Sequence, residues 1–504
     1  MLKPKREECM IRWRYIGIMA VWMALFGVLL FASNGTQIGT VGAKPTAMGS
    51  AFRGLADDWS AVFYNPAGLT QIQKGTIGLS NGLISPRGNF TPYPYPTLPF
   101  TGMYTDSREL TPKDFNVPAL GIFKTQGKWT AGLGVYAPFG LGTEWDLYFV
   151  PEGYGNPKAI SKKKESYSDH QVIAVQPTVA YQLTEKISVG LGLSYIWGKM
   201  TIDQIALPVN PLVGILANPN YAPLAAVLGP LSPDQTRLIV ENNLEGDGYA
   251  YGANVGVKWD ISKMLSLGVS GRFFTDLKLK GKMIQTVAFP GDPVKLATVN
   301  AIPDAVLGGP AQKQQLLALF SGQNSRQIYD AEVEADLPLP WTVGAGIAVK
   351  PISNLTITAD ASLTHWAAWD SIEVKLSSGD TQTMKEEWEN TLELGLGVEW
   401  KALQMGNKSL FLRAGGYTVP TPVPDKTITP TILDPNKRTV LTGGIGIRVG
   451  KVQLDIAYER VMFADKDVSV SAYVFDPSTY VAENYPGKYE FNASVITGAL
   501  TIDL

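Results

Sequence analysis

From Ile187 to Gly198 the chain alternates almost without a break. Ile187, Val189, Leu191, Leu193, Tyr195 and Trp197 fall on one face and Ser188, Gly190, Gly192, Ser194 and Gly198 on the other; only Ile196 interrupts the second face. Successive side chains of a strand point to opposite sides, so this stretch has one apolar wall and one wall of very small residues. A half-buried strand of a water-soluble sheet sets polar or charged residues against its apolar face instead. The same phase recurs at 249–259, 265–269, 341–347, 392–400 and 441–449. One such stretch reads equally well as a buried strand of a sandwich. Their recurrence in one phase predicts a barrel whose outer face meets lipid, with aromatic residues at headgroup level.

Read on this period, the chain holds fourteen strand candidates: roughly 75–89, 116–125, 129–139, 167–183, 187–203, 246–260, 264–281, 330–350, 353–375, 384–401, 409–420, 438–449, 451–463 and 488–504. Gly127-Lys128, 184–186, 260–263, Pro351-Ile352 and Gly450 mark tight connections. The long connections are 90–115, 140–166, 204–245, 282–329, 421–437 and 464–487. An even strand number, with short turns at one end and long loops at the other, fits a bacterial outer-membrane barrel. The predicted fold is all-β: a 14-stranded antiparallel transmembrane β-barrel over 75–504, with an N-terminal plug and no second core.

Two stretches before Gly75 break the period. Lys3, Lys5, Arg6, Arg12 and Arg14 precede an apolar run over 16–31, followed by Ala32-Ser33-Asn34-Gly35. That order reads as a secretory signal over 1–33, with an uncleaved anchor as the other reading. Residues 34–74 carry Gly and Pro punctuation and short helix-like pieces, with Asp57 and Asp58 as N-cap candidates. They read as a hatch inside the barrel.

Composition agrees with this picture. Of 504 residues 45% are hydrophobic and only 17% charged, with 51 Gly, a balance suited to a lipid-embedded β protein. No later apolar run reaches the ~20 residues that a spanning helix needs. The single cysteine, Cys9, precedes the apolar run, which leaves no disulfide to form. A formal net charge of −2 offers no basic surface for nucleic acid. Export, no later cysteine and alternating strands together place the chain in the outer membrane of a Gram-negative bacterium. The expected surroundings are the lipid bilayer, lipopolysaccharide and the outer-membrane assembly machinery, and the expected state is a monomer.

Two loops, 204–245 and 282–329, are unusually apolar. Leu212, Val213, Ile215, Leu216, Leu224, Val227 and Leu228 lie in the first, Leu316, Leu317, Leu319 and Phe320 in the second. They form either a greasy capture groove or two loops that bury one another, and a cleft between packed loops satisfies both readings.

Several motifs resemble the outer-membrane long-chain fatty acid and hydrophobic-compound transporters, the FadL/TodX (OMPP1) family. They are Ala56-Asp57-Asp58 with Asn65-Pro66-Ala67-Gly68; Tyr136-Ala-Pro-Phe-Gly-Leu-Gly142 running to Trp145; Gly246-Asp-Gly248 before Gly252-Ala-Asn254; Asp336-Leu-Pro338-Leu-Pro340-Trp341; Trp366-Ala-Ala-Trp369-Asp370; and Arg413-Ala-Gly415-Gly416-Tyr417, with Thr421 to Asp425, Asp434 and Arg438 following. Their order and spacing span the chain beyond the signal. Its end, Ile502-Asp-Leu504, departs from the terminal Phe common in such barrels. The resemblance implies a barrel closed by an N-terminal hatch, and capture of a hydrophobic ligand between two long loops. It also implies transfer to an inner pocket and lateral exit where the third strand kinks inward. That kink would fall at Pro138, Phe139 and Gly140, where proline withholds a ladder donor; a strand end running into its loop is the other reading.

The strand phase turns Lys258, Arg272, Arg413, Arg448, Asp455 and Glu459 toward the lumen. They form either an ion-paired wall or, at Arg272 or Arg413, a bidentate seat for a fatty-acid carboxylate. In the hatch, Asn65-Pro66-Ala67 is expected to anchor, 34–41 to gate, and Arg53, Trp59 and Phe63 with Tyr64 to line the inner pocket. The small Ser and Gly face is expected to leave room for a greasy solute. Gly78-Leu-Ser80-Asn-Gly82 matches Gly-x-Ser-x-Gly but lies within a strand, not at a strand-to-helix turn. His170 and His365 stand in no motif, and no metal or cofactor cluster is evident. The expected function is therefore not enzymatic: passive uptake of long-chain fatty acids, or of aromatic hydrocarbons by the same route, with a general porin as the third reading.

Overall fold

The computed structural model describes residues 37–94, 104–149, 153–155, 166–206, 209–219, 222–307, 309–323, 329–377, 379, 381–431, 434–472, 475–476, 481–482 and 484–504. The expected signal and the first residues of the expected hatch lie outside these. Fourteen antiparallel strands close into one barrel. They are β1 (Gly75–Pro92), β2 (Phe115–Gln126), β3 (Trp129–Trp145), β4 (Ser166–Gln182), β5 (Ile187–Ala206), β6 (Ile239–Asp260), β7 (Leu265–Phe274 and Leu277–Ala288), β8 (Tyr329–Leu337 and Thr342–Ile352), β9 (Leu355–Thr364 and Ser371–Leu376), β10 (Thr381–Lys385 and Thr391–Met405), β11 (Lys408–Val419), β12 (Arg438–Val449), β13 (Val452–Phe463) and β14 (Gly487–Asp503). β14 returns to β1 from Thr76↔Asp503 to Pro92↔Gly487 and closes the ring.

The alternation places its faces as predicted. Leu191, Leu193, Tyr195, Trp197, Val255, Val257, Leu394, Leu396, Ile445 and Ile456 point outward and are exposed. Trp129, Trp259 and Trp400 ring the short-turn end of this band, and Trp197, Tyr249 and Tyr251 lie toward the loops, as interfacial girdles do.

Strand ends differ from the sequence reading. β3 does not stop at 139 but continues to Trp145 beyond a register shift between Tyr136 and Phe139. β6 begins at Ile239 and β7 runs to Ala288, both rising well above the expected edges. Helices α3 (Pro211–Ala217) and α4 (Ala222–Leu228) top the β5–β6 loop, α5 (Pro293–Ala301) and α6 (Pro310–Ala318) the β7–β8 loop. Asn210 and Asp292 cap α3 and α5, each followed by proline at the first helical position.

Candidate functional site

Residues 37–74 run inside the barrel. They contain two short helices, Ala43–Ala47 and Ala61–Tyr64, and a 3₁₀ turn at Pro66–Gln71. Main-chain groups of such an irregular segment must find partners, and lumen side chains supply them. Gln176 Nε2 and Asn254 Nδ2 donate to Val62 O (3.0 and 2.7 Å), Ser270 Oγ donates to Tyr64 O (2.6 Å), and Phe52 N and Arg53 N donate to Asp360 Oδ2 (3.0 and 2.8 Å). Ser194 of the alternating stretch donates to Gln176 Oε1 (2.9 Å) and so positions the amide that holds Val62.

Asn65 is the centre of this seat. It is fully buried; its Nδ2 donates to Arg53 O (3.1 Å) and to Val257 O of the wall (3.0 Å), and its Oδ1 accepts from Ala67 N (3.2 Å). The wall approaches so closely that a Cβ on Gly256 would lie 2.1 Å from Asn65 Oδ1, and one on Gly190 2.4 Å from Ala67 N. The small inner face therefore corrects the expectation of room for a solute: at this level the main chain of residues 65–67 fills the space. Trp59 is likewise pressed between Gly78 and Gly121, and Pro66 and Ala67 are buried beside it in sequence.

Neither predicted cap acts as one: Ser60 is the N-cap of Ala61–Tyr64 and no side chain caps that helix, while Asp58 accepts from Ser60 N (2.8 Å) ahead of it and Asp57 pairs with Lys44 (2.8 Å). Burial pushes the Asp58 carboxyl up to about 6, with Lys44 pulling against it. Burial works against the Lys44 ammonium, but Asp57 and Glu399 hold it above its ordinary range.

The lumen charges divide into engaged and unengaged groups. Arg413 donates to Glu399 (2.6 Å) and Asp455 (2.6 Å), so its guanidinium is already shared by two carboxylates. Lys258 pairs with Asp260, and Arg448 with Asp503 (2.8 Å) and Gln453 (2.9 Å), near the short turns. Arg53 reaches Asp360 (3.4 Å) and Ser362 (2.9 Å). Arg272 differs. It is 6% exposed, lies 3.8 Å from the Phe63 ring centre, and has no carboxylate within ion-pair distance among the described residues. It lines a small polar cavity of about 20 Å³ with Arg53, Arg438, Glu393, Tyr64 and Trp366. Phe63 of this segment packs edge-on against Tyr136 of the wall (5.3 Å).

Residues 37–39 separate this chamber from two further spaces. Gln37 and Gly39 line both the polar cavity and an adjoining one of about 90 Å³, bounded by Val117, Ala119, Tyr417, Arg438, Val461 and Phe491. Ile38 lines that second cavity and a lateral cleft of about 520 Å³ between β2 and β3. The cleft exists because β2 pairs with β3 only from Leu120↔Val135 to Gln126↔Trp129, although it stays paired with β1 as far as Phe115↔Ile84. Above Val135, β3 bulges inward. Phe139 turns into the lumen against Phe274 (5.7 Å) and Trp366 (6.4 Å), and the released Pro138 carbonyl accepts from Ile38 N (3.0 Å). Pro138 thus sits within a bulge of a continuing strand, and Phe139 and Gly140 resume the pairing with Val172 and Gln171 of β4.

The apolar loop residues come together. Leu212, Ile215, Leu228, Leu316 and Phe320 form one buried cluster with Val299 and Leu307, while Leu216, Leu224, Leu317 and Leu319 pack half-buried around it. Val213 and Val227 face outward. Gln235 Nε2 donates to Asp292 Oδ2 (2.9 Å) and ties the loops together. The sequence reading passed over these helices; the Asn210-Pro211 and Asp292-Pro293 start signals could have revealed them. It also passed over Pro118 in β2, whose signal was a proline inside a strand pattern.

Comparisons agree with this architecture. The chain is 23% identical to the long-chain fatty acid transport protein of Escherichia coli O6:H1 over 385 residues, 75% of this chain and 74% of that one. Its fold is similar to that of a Pseudomonas aeruginosa FadL homologue (TM-score 0.69, 17% identity, 93% and 99% covered). It is similar again to the P. putida toluene transporter TodX (TM-score 0.63, 16% identity, 92% and 99% covered). A family model described as outer membrane protein transport protein (OMPP1/FadL/TodX) matches residues 28–503, and the chain belongs to that family.

Proposed function

We propose that this chain, in the outer membrane of a Gram-negative bacterium, takes up long-chain fatty acids or kindred hydrophobic acids passively. The observation that carries this reading is Arg272: a buried guanidinium with no carboxylate within ion-pair distance among the described residues, facing a cavity that adjoins an apolar space. A guanidinium offers a carboxylate two parallel hydrogen bonds. Capture begins in the half-buried rim of the loop cluster, at Leu216, Leu224, Leu317 and Leu319. The head group then seats at Arg272 above the hatch. The two enclosed cavities are far smaller than the ~300–1,000 Å³ of ordinary ligand sites, so loading requires residues 37–41 to move. Their displacement frees Pro138 O and joins the chamber to the lateral cleft. Exit into the membrane is favoured over an aqueous exit by about 0.8 kcal/mol for each methylene kept from water.

We read the chain as a monomer with residues 37–74 as a seated hatch, set among lipid and lipopolysaccharide, placed there by the assembly machinery and performing no catalysis. Aromatic hydrocarbon uptake is the second reading, favoured by the Phe63, Tyr64 and Trp366 rings that line the chamber. Arg272→Ala separates the two. Expected is a fatty-acid affinity weaker by about 10- to 100-fold, the loss of a charge-assisted contact, with toluene uptake unchanged. Unaltered binding of oleate to the purified variant would exclude Arg272 as the head-group seat.

A further inference from the structure

The lateral cleft is not uniformly apolar. Leu79, Leu120, Val135 and Ile173 line its body, whereas Lys113, Asp169 and His170 meet at one end. His170 is 4% exposed, and neither ring nitrogen has a hydrogen-bond partner among the described residues. A buried polar group left unpaired costs about 1–3 kcal/mol. Beside a cavity, such a group points to a partner that comes and goes. Lys113 Nζ lies 2.7 Å from Asp169 Oδ2, which also accepts from Tyr167 OH (3.0 Å), so a cation stands at the same rim.

The height of this rim matters. His170 pairs with Met200, three positions beyond Ile173↔Trp197 toward the loops. Trp197 belongs to the outward aromatic belt, so the polar rim lies at headgroup level and the apolar body below it at hydrocarbon level. An amphiphile leaving sideways has the same two parts in the same order.

We propose that this rim is a head-group station for an amphiphilic acid. The His170 imidazole donates to a carboxyl oxygen beside the Lys113–Asp169 ion pair while the tail slides between β2 and β3. The proposal rests on the uptake reading and deepens it, because a hydrocarbon without a polar head has no use for the station. A neutral imidazole offers one donor and one acceptor, enough for an ionised or a protonated carboxyl.

The test compares His170→Ala and His170→Gln with the unaltered chain in cells lacking other uptake routes, using oleate and toluene as probes. Surface level and heat-modifiable mobility establish that each variant is folded. Expected is oleate uptake slower by about fivefold in His170→Ala, the loss of one hydrogen bond, with partial recovery in His170→Gln and toluene uptake unchanged. Unchanged oleate uptake, or an equal fall for both probes, overturns the station. Arg272→Ala measured in parallel keeps the readings apart: if it loses oleate binding while His170→Ala does nothing, the inner seat stands and the rim falls.

Discussion

β5 and β6 stay paired from Ile187↔Trp259 to Ala206↔Val240, whereas β2 and β3 part above Leu120↔Val135. Both seams join strands that alternate apolar and small or polar residues, so alternation does not distinguish them. Proline does. Neither β5 nor β6 contains one, while the three strands around the cleft carry Pro118, Pro138 and Pro177. Each removes a ladder donor, and the pairing of β4 with β5 is itself interrupted between Val175↔Tyr195 and Thr178↔Gly192. The interior differs in step. Behind the closed seam, Gly190 and Gly256 admit the main chain of the hatch; behind the open one, Ile38 caps a carbonyl that the wall has released. One side holds the N-terminal segment by close packing at residues 65–67, the other by main-chain contacts at Gln37 and Ile38.

The largest way to break this contrast is to spoil the closed side. Gly256→Val puts branched carbon where Asn65 Oδ1 is 2.1 Å and Pro66 Cδ 2.9 Å away. Overpacking of this kind costs about 1–3 kcal/mol, and here the hatch is the part able to move. The expected result is a steady single-channel current through a barrel that is otherwise almost silent, with a lower temperature for the heat-induced mobility shift. A silent channel of unaltered stability would mean that Asn65 is not what seats the hatch.

A smaller change sharpens the open side. Pro138→Ala restores a main-chain donor at the bulge. The regained donor and the extra freedom of the unfolded chain oppose each other, so heat stability moves by no more than ~1 kcal/mol. Oleate uptake is expected to slow about two- to threefold as the ladder extends, by the weight of one net hydrogen bond. Amide exchange near 117–119 that stays as fast as before would show that proline is not what opens the seam.

How much of this was legible follows from the same contrast. Alternation is local, so all fourteen strands, their outward faces and the inward turn of Lys258, Arg272 and Arg413 could be read from residue order. The role of the small inner residues could not, because it depends on a segment more than a hundred positions away: Gly190 is small for the sake of Pro66 and Ala67. Charge was legible in direction but not in pairing. Arg272 and Arg413 look alike in the sequence, and only the neighbours Glu399 and Asp455 separate an engaged guanidinium from an unengaged one. His170 is visible in the sequence only as an isolated histidine without a motif; its meaning comes from the cavity beside it.

A third expected effect lies in residues 37–74 and depends on pH. Asp58 has a folded-state value pushed up to about 6 from an ordinary 3.8, chiefly by burial. A carboxyl raised in this way binds a proton in the folded chain before it does so in the unfolded one. It therefore adds stability as pH falls from above 6 toward 4, and its ionised form burdens the hatch above 6. Asn can keep the acceptor for Ser60 N without the charge. Asp58→Asn is thus expected to raise stability at pH 8 by about 1–2 kcal/mol once the partial exposure of the carboxylate is allowed for, seen as a higher midpoint of heat-induced unfolding. It should leave the midpoint at pH 4 unchanged. Because Asp58 does not line the β2–β3 cleft, oleate passage through it should not follow that pH dependence. A variant that changed uptake and stability in step between pH 4 and 8 would show that the two sides of the barrel are coupled through the hatch.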